Sequence, residues 1–334
     1  MTPRPDIFGR LPNGDPVHCV TLENGGVRAA FLTYGATLQD LRVEGVAHPL
    51  VIGASTLEPY FGPLMYAGAL VGRFSNRLRH GRFEIDGTTY QAEVQADTGH
   101  TLHGGPVGVS SKVWSILEMG ADHVVMGLEL NDGDMGFPGN MSLRAHMSLD
   151  EHGALSFDIT ATSDRATPCS LAHHSYFNLD GTETIADHQL QVSADHFLPV
   201  DHALIPLGTK VALDQHAFDF RALKELGAHQ IDHNFCLSSK TVPTRPVARL
   251  SAARSGIEVG IATNQPGLQV YTGDGLDCSG GIGLEGRTYG ARSGIALETQ
   301  AWPDAPNHPT FPNAILRPDE TYHHHVIYKI SKRA

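Results

Sequence analysis

Turn-forming residues cut this chain into short pieces, and that punctuation limits its fold more than any other feature. Thirty-six glycines and 20 prolines are spread through 334 residues. Glycine interrupts regular structure by admitting left-handed backbone, and proline by lacking an N–H. Between them lie strand-length runs with an alternating or β-branched pattern: GVRAAFLTYG, GRFEIDGTTYQAEV, DHVVMGLEL, NMSLRAHMSLD, GALSFDITAT, HQLQVSAD, GIEVGIATN, LQVYTG, SGIALETQ and HHHVIYKIS. A period of two puts alternate side chains on opposite faces, as in half-buried antiparallel strands. Helical pattern is confined to FRALKELGAHQ, residues 220–230, which predicts an amphipathic turn or two closed by Gly227. No linker, low-complexity tract or internal repeat divides the chain. The expected architecture is all-β: one domain over residues 1–334, a large antiparallel β-sandwich with few short helices.

Composition narrows the function. Hydrophobic residues make up 41% of the chain, enough for a sizeable core, and the formal net charge is −12. Nucleic-acid binding rests on Lys and Arg neutralising phosphates, so that balance argues against a nucleic-acid partner. The start, MTPRPDIFGRLPNGD, holds no apolar signal region, and no apolar run approaches a membrane span. Cys19, Cys169, Cys236 and Cys278 are far apart with no CxxC pair. They read as reduced thiols of a cytoplasmic protein.

Four stretches carry candidate chemistry. In AHHSYFNLDG, residues 172–181, strand alternation sends His174 and Tyr176 one way and His173 and Ser175 the other. Only one of the two histidines can therefore share a surface with Tyr176. In HTLHGG, residues 100–105, Gly104 and Gly105 allow positive φ or a close backbone approach beside His103. The run from Arg73 to Arg82 includes Asn76 and Arg77, whose planar amide and guanidinium groups suit a polyhydroxylated ligand. In SGIALETQAWPDAPNHPTFPN, residues 293–313, Glu298 lies on the face opposite Ile295 and Leu297, just before a proline-rich loop with Trp302. Neither His100 with His103 nor the HHH run at 323–325 is completed by a ligand-spaced partner, so no metal site is expected.

Taken together these stretches resemble the aldose 1-epimerase family, also called galactose mutarotases. GRFSNRLRHGRFEIDG, LHGG, GFPG at 136–139, HSYFNL, IDHNF at 231–235, GLQVYTG at 267–273 and LETQAWPDAPNHPTFP stand in the family's order. YGATLQDL at 34–41 and LRPDETYHHHVIYKI near the end extend the resemblance to nearly the whole chain. It implies a mutarotase-like supersandwich that interconverts the α and β anomers of free aldoses such as galactose and glucose, with no cofactor. Matched residue by residue, the general acid falls on His174, the base on Glu298 and a second active-site histidine on His103. Substrate-binding positions fall on Asn76, Arg77, His103, Tyr176, Asp232 and Gln269. The expected partner is a free monosaccharide, bound by a monomer or homodimer.

The chemistry is consistent with that assignment. Opening a sugar ring takes one proton from the C1 hydroxyl and gives one to the ring oxygen, work for a carboxylate and a protonated histidine. A nearby carboxylate, Asp232 or Glu298, is expected to keep His174 partly protonated. Two other classes use some of the same residues. A glycoside hydrolase would pair Glu298 with Asp232, and a non-catalytic sugar-binding sandwich would need no acid–base pair at all.

Overall fold

Strands dominate the computed structural model, which describes residues 5–278 and 282–332, and its helical pieces are single 3-10 turns of three or four residues. Each alternating run singled out in the sequence forms a strand. The residues of 220–230 do not form the expected helical turn. Lys224–Glu225 is instead a short edge strand paired with Gln189 and Leu190. Phe220 and Leu226 are both fully buried in the main core. Six residues apart on a helix, they would point about 120° away from each other. An extended chain buries both. Gly227 does take the expected left-handed conformation, with φ +49°.

Two antiparallel sheets form the sandwich. The larger has nine strands, in the order Ser115–Met119, His123–Leu130, Met141–Leu149, Leu155–Ser163, Tyr322–Lys332, Ile257–Thr263, Arg245–Ser251, Gln189–Val192, Lys224–Glu225. The smaller has six, in the order Tyr176–Phe177, Ile295–Gln300, Gly267–Tyr271, Asp232–Cys236, His196–Phe197, Val211–Ala212. A four-stranded N-terminal sheet, Asp6–Val43, adds Leu22, Ala29, Phe31 and Leu38 to the same core.

Alternation decides which face of the six-stranded sheet carries chemistry. Phe177, Phe235, Leu268, Val270, Ile295 and Leu297 join Phe157, Ile159, Val259, Ile261 and Tyr328 of the large sheet in one apolar cluster. Burying each such side chain contributes roughly 1.5–3 kcal/mol, so the register of these strands is strongly fixed. The intervening residues Asp232, Asn234, Gln269, Tyr271, Glu298 and Gln300 are thereby committed to the other face. The triple histidine obeys the same rule. His324 is buried and contacts Thr299 Oγ1 at 2.7 Å, while His323 faces out to Asp158 at 2.6 Å.

Candidate active site

Glu298 sits in the second strand of the six-stranded sheet, opposite Gln269, which in turn is opposite Asn234 in the third and fourth strands. Asp232 lies two residues before Asn234 on that face, opposite Tyr271. Gln269 Nε2 donates to Asp232 Oδ1 at 2.5 Å, and Arg77 approaches Asp232 Oδ2 at 3.8 Å. Asp232 is thus held between an amide and a guanidinium.

His174 arrives from a crossing segment. Its backbone N–H donates to Ala69 and its carbonyl accepts from Gly68, which aims the ring over the sheet. His174 Nε2 lies 3.5 Å from Glu298 Oε1, with both side chains nearly inaccessible to solvent. Tyr176 follows on the same face, with its ring centre 5.0 Å from that of His174. His173 is turned into the core. Its Nδ1 contacts the Tyr328 hydroxyl at 3.0 Å, its Nε2 contacts Ser175 Oγ at 2.9 Å, and its ring stacks on Phe157. Burial pushes His173 down to about 3, so it stays neutral.

His103 and Asn76 close the site from two neighbouring loops. Each has a left-handed backbone, with φ of +52° and +59°. The His103 N–H donates to the Asn76 carbonyl at 2.9 Å, and the Asn76 N–H donates to His103 Nδ1 at 3.2 Å. With Nδ1 accepting, the proton of neutral His103 is on Nε2, which turns a donor toward the site. The His103 ring stands edge-on to His174 at 5.1 Å. All the residues matched in the sequence therefore meet in one place: His103, His174 and Glu298, with Asn76, Arg77, Tyr176, Asp232 and Gln269 around them.

Burial controls the charges. It pushes Glu298 well above the usual carboxylate range, and the nearby Asp232 charge adds to the rise. Burial also lowers His174 to about 4, and lowers His103 well below the ordinary imidazole value. This corrects the expectation that a neighbouring carboxylate keeps His174 partly protonated. Desolvation is the largest cause of both shifts, so burial disfavours the charged form of each partner.

His103, His174 and Glu298 are also the one trio among the described residues whose ligand-type atoms lie within 4.8 Å of one another. Metal ligation through His103 Nε2 would need its proton on Nδ1, where it would face the Asn76 N–H. The trio presents one N–H donor, one imidazole and one carboxyl, a set for polarised hydroxyls and their protons. Two further contacts escaped the sequence reading. Tyr66 packs on His103 at 4.7 Å and on His174 at 6.1 Å, and Tyr271 meets Tyr176 at 6.0 Å. Tyr271 follows from alternation, being two residues beyond Gln269. Tyr66 lies in an irregular loop that carries no local pattern.

Comparison with known proteins shows which family the chain is similar to. A family model described as Aldose 1-epimerase matches residues 18–329. The chain is 38% identical to a galactose mutarotase of Mus musculus over 341 residues, covering 97% of each. It is 32% identical to an aldose 1-epimerase of Escherichia coli (strain K12), covering 93% of this chain and 94% of that one. Among solved structures, an aldose epimerase homologue from C. elegans superposes with a TM-score of 0.88 at 30% identity, covering 95% of this chain and all of that one.

Proposed function

From the premise that the chain belongs to the aldose 1-epimerase family and is an isomerase interconverting the α and β anomers of free aldoses, we propose that His174 and Glu298 exchange a single proton through the sugar. In the reactive arrangement Glu298 is a carboxylate and His174 an imidazolium. Glu298 takes the C1 hydroxyl proton as His174 Nε2–H protonates the ring oxygen. The C1–O5 bond breaks, and the open-chain aldehyde forms. The pair still holds one proton, now on Glu298. Rotation about C1–C2 presents the other carbonyl face, and the C5 hydroxyl closes on it. That hydroxyl's proton returns to His174 as Glu298 protonates the new C1 oxygen. No net proton or electron leaves the site.

His103 Nε2–H donates to the oxygen that gains charge. Asn76, Arg77, Tyr176, Asp232 and Gln269 hold the remaining hydroxyls, so the open chain stays bound until it recloses. The observation that carries this reading is the 3.5 Å approach of His174 Nε2 to Glu298 Oε1, with both side chains buried. Asp232, bound by Arg77 and Gln269, is not a free second carboxyl, which favours ring opening over glycoside hydrolysis. No described helix is long and apolar enough to cross a membrane, and all four cysteines are free. We place the protein in the cytoplasm as one domain, a monomer or homodimer, acting without metal or nucleotide. Polarimetry tests the reading: the purified protein should speed α-galactose or α-glucose to its equilibrium rotation, unchanged by chelator. A rate lost with chelator and restored by zinc would overturn it.

A further inference from the structure

The reaction gives tasks to His174, Glu298 and the hydroxyl-binding groups, but none to Gln300. Gln300 is fully buried, and neither its Nε2 nor its Oε1 finds a hydrogen-bond partner in the protein. It stands two residues beyond Glu298 in the same strand, so both side chains leave on one face. Three more buried acceptors on that face are unpartnered: Glu298 Oε2, Gln269 Oε1 and Asn234 Oδ1. Register puts Asn234 opposite Gln269, Gln269 opposite Glu298, and Gln300 opposite Gly267. A Cβ on Gly267 would fall 2.4 Å from Asn234 Oδ1. Asn234 Oδ1 and the Trp302 ring thus share the space that a side chain at 267 would fill, beside the Gln300 backbone carbonyl.

An unpaired buried polar group is costly, so a cluster of them calls for a shared partner. The inventory defines it. Gln300 offers N–H donors without acceptors, while Glu298, Gln269 and Asn234 offer acceptors without donors. Residues two apart on a strand are roughly 7 Å apart at Cα, and flexible amide and carboxyl ends on one face that lean together can share one water. A water that accepts from one amide and donates to two oxygens has the partners a buried water needs.

We propose that Gln300 is a positioning residue: its amide holds a water that donates to Glu298 Oε2 and to Asn234 Oδ1, keeping the Glu298 carboxylate aimed at the C1 hydroxyl and able to ionise. The inference rests on the reading of Glu298 as the base. Among the described residues Glu298 makes no side-chain hydrogen bond to a protein N–H or O–H, and its contact with His174 is 3.5 Å. Donation to a carboxylate favours its charged form and opposes the desolvation that Glu298 suffers.

Gln300→Met keeps the length of the side chain and removes both amide functions. Its turnover on galactose should fall about tenfold across the neutral plateau, with KM changed less than about twofold, the pattern of a group acting in the transition state. The alkaline limb should move up by about one pH unit, because an unsupported carboxylate holds its proton longer. Above that limb both proteins are ionised at Glu298, so the two curves should meet. A loss of the same factor at every pH, or no loss, overturns the proposal. The infrared C=O band of protonated Glu298, identified by difference against Glu298→Gln, should persist to a pH about one unit higher in Gln300→Met than in the wild type. An unchanged band likewise overturns it. That readout is independent of turnover, so a failure of the base assignment, seen as an active Glu298→Gln, remains distinguishable. Should Gln300→Met not fold, Asn234→Leu removes the water's other anchor and should shift the profile in the same direction. A pH-independent profile there also counts against the water.

Discussion

At the residue scale, the adjacent histidines have opposite environments, and so their substitutions should have opposite consequences. His174→Asn removes a proton-transfer group and should lower turnover by at least ~10²-fold. His173→Asn disturbs a buried contact with Tyr328 and Ser175 but no reacting atom, so it should lower melting temperature more than turnover. Equal kinetic losses would undo the assignment. Glu298→Gln keeps the shape of the site but cannot take a proton at neutral pH. Turnover should collapse while galactose affinity by calorimetry changes little. The same variant bears on stability. Below the ordinary carboxyl value of 4.5 the group is protonated both folded and unfolded and contributes nothing. As pH rises past that value the unfolded chain ionises first, and the folded state loses relative stability until the raised folded value is passed. Glu298→Gln does not titrate, so its melting temperature should exceed wild type by a few degrees at pH 8 and by nothing at pH 4. On the acid side, activity should persist down toward the His174 value of about 4, where a second proton enters the pair.

At the scale of the element, alternation made the faces readable. It separated His173 from His174 and put Glu298 opposite Ile295 and Leu297. It could not show which strands meet. Asn76 and His103 are joined by reciprocal hydrogen bonds across 27 positions, and the strands holding Asp158 and His323 pair across more than 160. The segment 220–230 misled because its helical spacing is overridden by burial of Phe220 and Leu226 in an extended chain. The turn after His103 was read for its glycines, and the structure shows what each does. Gly104 has φ +86°, and a Cβ there would lie within 1.9–2.4 Å of the Gly72 carbonyl group and the Arg73 nitrogen, all backbone. Gly105 has φ +104° but meets only the flexible Met135 side chain, at 3.2 Å. The close approach is to the chain itself rather than to a ligand. Gly104→Ala should therefore displace His103 and cost about 3 kcal/mol or more. Gly105→Ala should cost about half as much or less. Thermal melts of the two variants, with turnover measured on the folded fraction, check the order.

At the scale of the whole molecule, charge distribution decides which sugars the site can accept. Five basic side chains lie within ten residues in the Arg73–Arg82 run, a density that on sequence alone is compatible with a phosphorylated hexose. Folding disperses them. Arg73 is buried and donates to the carbonyls of Asn131, Pro138 and Gly139. Arg79 pairs with Asp201 at 3.5 Å, while His80 and Arg82 are exposed. Of that run only Arg77 reaches the site, where Asp232 already faces it at 3.8 Å. A sugar phosphate brings a charge of about −1.5 to −2 at neutral pH into a site where, among the described residues, the one arginine already faces a carboxylate. Like-charge placement in a desolvated site costs several kcal/mol, so kcat/KM for glucose 6-phosphate should fall at least ~10²-fold below that for glucose. The formal charge of −12 adds a long-range repulsion that salt can screen. Raising ionic strength should therefore narrow the gap without closing it, because the half-buried Asp232 carboxylate inside the site is screened less than surface charge. Anomer exchange of the two sugars followed by NMR at low and high salt separates the contributions. Comparable rates on both sugars would mean that one of the dispersed arginines swings into the site on binding, and the neutral-sugar reading would fall with it.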